Sequence, residues 1–152
     1  MIDVPGEIAV VVHAEFDCVN CSHHHVGRSA VRFYSTRLSE GALTRGLTRE
    51  PLERCLEQIA AARPPDLVLV LGTCPVEVIG DAFHEVVEEA CARTGVRMVA
   101  LRTSGLKLTS RREMLDWLYS TLAAACPPTG PPSGLALFGL PGPRRGRPEP
   151  VA

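Results

Sequence analysis

Three short, nearly unbroken apolar runs constrain this chain more than any other feature: Glu7 to His13 (EIAVVVH), Leu67 to Leu71 (LVLVL) and Val96 to Leu101 (VRMVAL). Runs of this length, rich in β-branched residues and lacking polar alternation, are the pattern of strands covered on both faces. Helical stripes lie between and after them. Leu52, Cys55, Leu56 and Ile59 recur at i, i+3, i+4 and i+7, which predicts a helix over about 51–62, with Pro51 in its first turn and Arg63-Pro64-Pro65 as its stop. A second helix is predicted from about Val78 to Thr94, with Phe83, Val86, Val87, Ala90 and Cys91 on one face and Gly95 as its C-cap. A third follows Ser110, where Glu113 completes a capping box ahead of the stripe Met114, Leu115, Leu118 and Leu122. Residues 31–35 read as one further short strand. Strands alternating with helices of this length imply crossover units and a parallel sheet. The expected fold is therefore α/β, a Rossmann-like parallel sheet with helices on both faces.

The pattern changes near residue 126. Pro127-Pro128-Thr129-Gly130-Pro131-Pro132 is linker composition, Leu135 to Leu140 (LALFGL) reads as one more buried strand, and a Pro-, Gly- and Arg-rich tail closes the chain. The expected organisation is one α/β domain over 1–126, followed at 127–152 by linker and tail with a strand at 135–140, the single domain being truncated at the start of a second. A formal net charge of −1 gives no electrostatic basis for a nucleic-acid or anionic-membrane partner, and one Trp, two Tyr and four Phe offer little for base stacking. No apolar run reaches the roughly 20 residues of a membrane span. The start, Met1-Ile2-Asp3-Val4-Pro5, lacks the basic segment of a signal peptide, so a cytoplasmic protein is expected.

Six cysteines stand at 18, 21, 55, 74, 91 and 126. In a cytosolic chain of this size, metal binding or burial is expected before disulfides. Cys55 and Cys91 fall on helical apolar stripes and read as small buried hydrophobes. Cys18 and Cys74 each follow the end of a buried strand, the edge where open parallel sheets gather ligands. Cys74 also precedes a helix start, where thiolate is favoured. Cys18 heads the segment Cys18-Val19-Asn20-Cys21-Ser22-His23-His24-His25, in which a Cys-x-x-Cys pair and three histidines could ligate a metal. On residue types alone the alternatives are a thioredoxin-like redox pair, a zinc site using Cys18, Cys21 and His23 to His25, or buried structural thiols.

The segment Leu71 to Asp81, LGTCPVEVIGD, resembles the Cys-Pro-x-x-x-Ile-Gly-Asp signature of the nitrogenase component 1 family, which includes the nitrogenase molybdenum–iron protein subunits and the N and B subunits of dark-operative protochlorophyllide reductase. His13-Ala14-Glu15-Phe16-Asp17-Cys18 is similar to the family's His-Gly-Pro-x-Gly-Cys turn, Met98 to Gly105 to a later strand and turn, and Leu135 to Gly139 to the strand opening the second domain. The resemblance implies that Cys18 and Cys74 ligate an iron–sulfur cluster, 4Fe–4S or P-cluster-like, shared with a component 1-like partner subunit. It also implies electrons delivered by an ATP-dependent iron protein. The Gly-Pro of the first turn is Ala14-Glu15 here, and the Gly before the cysteine is Asp17, a carboxylate that would lower the cluster potential or serve as an oxygen ligand. Cys21 is the local candidate for a third thiolate, since the family's further cysteine lies in a segment preceding the first strand. The expected function is thus an iron–sulfur-binding part of a nitrogenase-like oxidoreductase. The alternatives are a non-catalytic interaction module of the same fold and the zinc domain above.

Overall fold

A computed structural model describes residues 7–18, 32–103 and 110–125. Four strands, β1 (Ile8–His13), β2 (Arg32–Ser35), β3 (Leu67–Gly72) and β4 (Met98–Arg102), form one sheet in the order β2-β1-β3-β4, and every pairing is parallel. The helices are α1 (Glu40–Thr44), α2 (Arg49–Ala62), α3 (Cys74–Val78), α4 (Phe83–Thr94) and α5 (Arg111–Ala125). The expected Rossmann-like α/β class is the one the chain adopts.

Two of the apolar runs become the central strands β1 and β3, and the third becomes the edge strand β4, which is only partly buried. Ala9 and Val11 of β1, Val68 and Val70 of β3 and Met98 of β4 share a core with Leu52, Leu56 and Ile59 of α2 and Phe83, Val86, Val87 and Ala90 of α4. Val10 and Val12 point the other way, with Ala14 and the half-buried Ile8, Cys18, Phe33, Leu69 and Leu71. Each fully buried Leu or Phe side chain contributes about 1.5–3 kcal/mol from apolar area removed from water. Cys55 and Cys91 pack against the first core as half-buried side chains, and burial pushes the Cys55 thiol up to about 11. That is the structural role expected of them.

Helix ends follow local chemistry. Gly95 takes φ 70° at the end of α4, and Ser110 Oγ accepts the Glu113 N–H at 3.2 Å, as the capping box predicts. The stripe of α5 lies among side chains outside the described set, as do the linker and the strand expected at 135–140. Helix α1 has no counterpart in the sequence reading. It is five residues long, too short for periodicity to show, and starts where Ser39 Oγ accepts the Ala42 N–H.

The helix predicted from about Val78 is instead two. α3 ends at Val78, and a Schellman closure follows: Gly80 N–H donates to the Glu77 carbonyl at 3.1 Å and Asp81 N–H to the Val76 carbonyl at 3.1 Å, with Gly80 at φ 70°. Helix α4 then starts at Phe83, with Ala82 as its N-cap. The Ile-Gly-Asp motif is the break between two helices, not the interior of one.

Candidate functional site

The strand order fixes where a ligand would sit. β1 connects outward to β2 and β3 connects outward to β4, so the connections diverge between the two central strands. In open parallel sheets the crevice at such a switch point, beyond the carboxyl ends of the strands, is the usual binding position. His13 and Gly72 are paired across β1 and β3 at that edge. Cys18 comes five residues after His13 and Cys74 two residues after Gly72, so both leave the same edge from neighbouring strands.

Each turn is held in place. Beyond β1, the Leu38 N–H donates to the Ala14 carbonyl at 2.8 Å, and Glu15 bridges Leu38, prolonging the β1–β2 pairing before residues 16–18 turn helical. The Arg37 guanidinium lies 5.5 Å over the Phe16 ring. Cys18 is half-buried against Val10, Val12 and Ala14, and the adjacent Asp17 is exposed. Beyond β3, Cys74 is the first residue of α3 and is exposed, with Pro75 suited to a first helical turn. A five-residue helix brings little macrodipole to bear on that thiol, less than the long helix expected from sequence. Val78 and Ile79, on the same short element, are 72% and 43% exposed.

Behind the cysteines the edge is stitched by one threonine after each of three strands. Thr36 Oγ1 accepts the Ala14 N–H at 3.3 Å and lies 3.1 Å from His13 Nδ1. Thr73 Oγ1 donates to the His13 carbonyl at 3.1 Å. Thr103 donates to the Gly72 carbonyl through its hydroxyl at 2.9 Å and through its N–H at 3.0 Å. His13 is fully buried, and its Nε2 faces Asp81 Oδ2 at 3.5 Å. Burial alone would push the Asp81 carboxyl up. Interactions with His13, Thr48 and the Phe83 backbone more than offset this and hold it below the ordinary carboxylate value. Sequence reasoning missed this network. Its signals were a polar residue closing the run IAVVVH and the recurrence of Thr at 36, 73 and 103, directly after β2, β3 and β4.

Among the described residues, no three His, Cys, Asp or Glu side chains gather where they could hold a metal ion. Cys21 and His23 to His25, the other ligands considered from sequence, lie outside the described residues.

A parallel sheet of this order, with a cysteine-bearing turn on each side of its switch point, sets the class of domain. The sequence profile of the nitrogenase component 1 type oxidoreductases matches residues 6–133, and the chain belongs to that family. Over 97 residues it is 28% identical to the light-independent protochlorophyllide reductase subunit N of Cyanophora paradoxa, a match covering 63% of this chain and 21% of that protein. Solved structures of nitrogenase Cp1 share the fold. The one at pH 5 has a TM-score of 0.65 at 20% identity and covers 76% of this chain and 26% of that one. The one at pH 6.5 has a TM-score of 0.56 at 21% identity over 65% of this chain and 21% of that one. The chain thus spans about a fifth to a quarter of the relatives it matches. Among the described residues, no helix is long and apolar enough to cross a membrane.

Proposed function

We propose that this domain contributes Cys18 and Cys74 as thiolate ligands to an iron–sulfur cluster completed by a component 1-like partner chain, within a nitrogenase-like oxidoreductase. The observation that carries the reading is the placement of the two cysteine-bearing turns at one edge of the sheet, on either side of its switch point. Thiolate sulfur is the ordinary protein ligand of such clusters, and nearby N–H groups, charge and burial set their potential. The exposed Cys74, with Val78 and Ile79 beside it, suits an edge that a partner covers. In this reading Asp17, exposed next to Cys18, would lower the potential or act as an oxygen ligand, and Cys21 is the further thiolate candidate. An ATP-dependent iron protein is the electron donor in this reading, and the substrate is bound by partner chains. When bound, the cluster supplies one-electron transfer, and this chain's part is to hold it and to set its surroundings.

The test is anaerobic reconstitution with ferrous iron and sulfide. The wild-type chain should take up iron and sulfide with visible charge-transfer absorption that air bleaches, and Cys18→Ala or Cys74→Ala should abolish most of it. A wild-type protein that takes up no iron, or cysteine variants that load as well as wild type, would sink the reading.

A further inference from the structure

The short helix that begins with Cys74 is pinned at both ends to one residue of the strand that leads to Cys18. At its start, Thr73 Oγ1 donates to the His13 carbonyl at 3.1 Å. Just past its end, Asp81 Oδ2 stands 3.5 Å from His13 Nε2, with the Asp81 side chain only 7% exposed and that of His13 fully buried. Between the anchors, the Schellman closure at Gly80 leaves α3 little freedom to tilt. With Thr36 Oγ1 at 3.1 Å from Nδ1, a hydroxyl that donates there leaves Nε2 to carry its hydrogen toward Asp81.

At 3.5 Å, the direct His13–Asp81 contact is too long for stability alone to explain it. His13 Nε2 and Asp81 Oδ2 are buried, and neither has another hydrogen-bond partner among the described residues. Their separation is at the long limit of a hydrogen bond. A buried carboxylate left at such a distance from its partner is costly, and well-packed apolar residues of like volume often replace such pairs without loss. What the pair does accomplish is geometric, since it ties the Cys74 turn to β1, and β1 carries Cys18.

We propose that His13 and Asp81 are positioning residues that hold the Cys74 turn in register with the Cys18 turn, so that both thiolates meet one cluster. This rests on the cluster reading above. Neither residue touches the cluster, and each acts through the backbone that presents a cysteine.

The test uses the anaerobically reconstituted chain and two readouts, the rate of iron release to a chelator and the electron paramagnetic resonance spectrum of the reduced cluster. Asp81→Ala and His13→Ala should each release iron about ten-fold faster than wild type, at the lower end of the roughly 10–100-fold that outer-shell partners of metal ligands are worth. Both should broaden the spectrum, and the double variant should be no worse than either single one. Asp81→Asn, which keeps an acceptor for Nε2–H, should restore most of the retention. Leu56→Ala, in the core beneath α2, lowers stability without touching the edge and serves as the control. If Asp81→Ala and Leu56→Ala release iron at the same rate with the wild-type spectrum, the pair serves folding only and the proposal is wrong. Should Asp81→Ala fail to fold, Thr73→Val removes the other anchor, and unchanged release from it overturns the proposal equally. Wild-type protein that loads no iron rejects the cluster reading itself, and this inference with it. Loading with indifferent variants rejects the inference alone.

Discussion

Gly72, the last residue of β3, has no room for a side chain. A Cβ built there would meet the Phe83 ring at 2.4 Å. Phe83 is almost fully buried and belongs to the core between the sheet and α4, so it has nowhere to retreat. Overpacking of this kind costs about 1–3 kcal/mol. Gly72→Ala should therefore lower the free energy of unfolding by that much in urea titrations, and Phe83→Leu in the same background should recover part of the loss. A recovery of this sort is a coupling energy, readable in a double-mutant cycle. Asp81 makes a second residue-scale prediction. Its carboxyl is held below the ordinary value by interactions with His13, Thr48 and the Phe83 backbone that outweigh its burial. A group depressed in the folded state contributes stability that is fully present above its unfolded pKa, about 3.9, and is lost as pH falls toward the folded value. Urea midpoints of wild type and Asp81→Asn should accordingly differ most near pH 7 and converge as pH drops below about 4. A constant difference across that range would show that the depression does not couple to folding.

The informative element is the α3–α4 corner. Helical periodicity saw one face running through residues 78–94, because Phe83, Val86, Val87 and Ala90 do line one face of α4. It did not see the stop, which depends on the backbone at Gly80. At φ 70° that position favours glycine, and nothing lies within 4 Å of where a Cβ would be. The strain of a side chain there is purely conformational, about 1–2 kcal/mol. Gly80→Ala should be destabilising by that amount in chemical denaturation, with the far-UV spectrum unchanged. The same glycine could have been read as a C-cap. The periodic stripe was the stronger signal, and it hid the break.

At the scale of the whole molecule, the two-sided burial of β1 and the α2–α4 layer above it hold the fold together. Leu52 and Leu56 are fully buried beneath α2, and truncating either to Ala should cost about 2–5 kcal/mol in denaturant titrations. The ion pairs joining the same helices, Arg49 with Glu89 and Arg93 with Glu57, are solvent-exposed. Exposed pairs contribute about 0–1 kcal/mol and are screened by salt. Arg93→Ala should thus change the midpoint little, and less still in molar salt.

What the sequence by itself determined is the three longest strands and the large helices, because apolar period and β-branched runs are local consequences of burial. It also placed Cys18 and Cys74 beyond strand ends, since a run's end is visible where its apolar residues stop. Strand order was not legible: that β1 and β3 are neighbours, with the connections diverging between them, depends on how distant segments pack. The His13–Asp81 contact spans the same gap, and no local pattern encodes a pairing across sixty-eight positions. Tertiary structure alone brought the two cysteine-bearing turns to one edge, because only pairing of the central strands puts their carboxyl ends side by side.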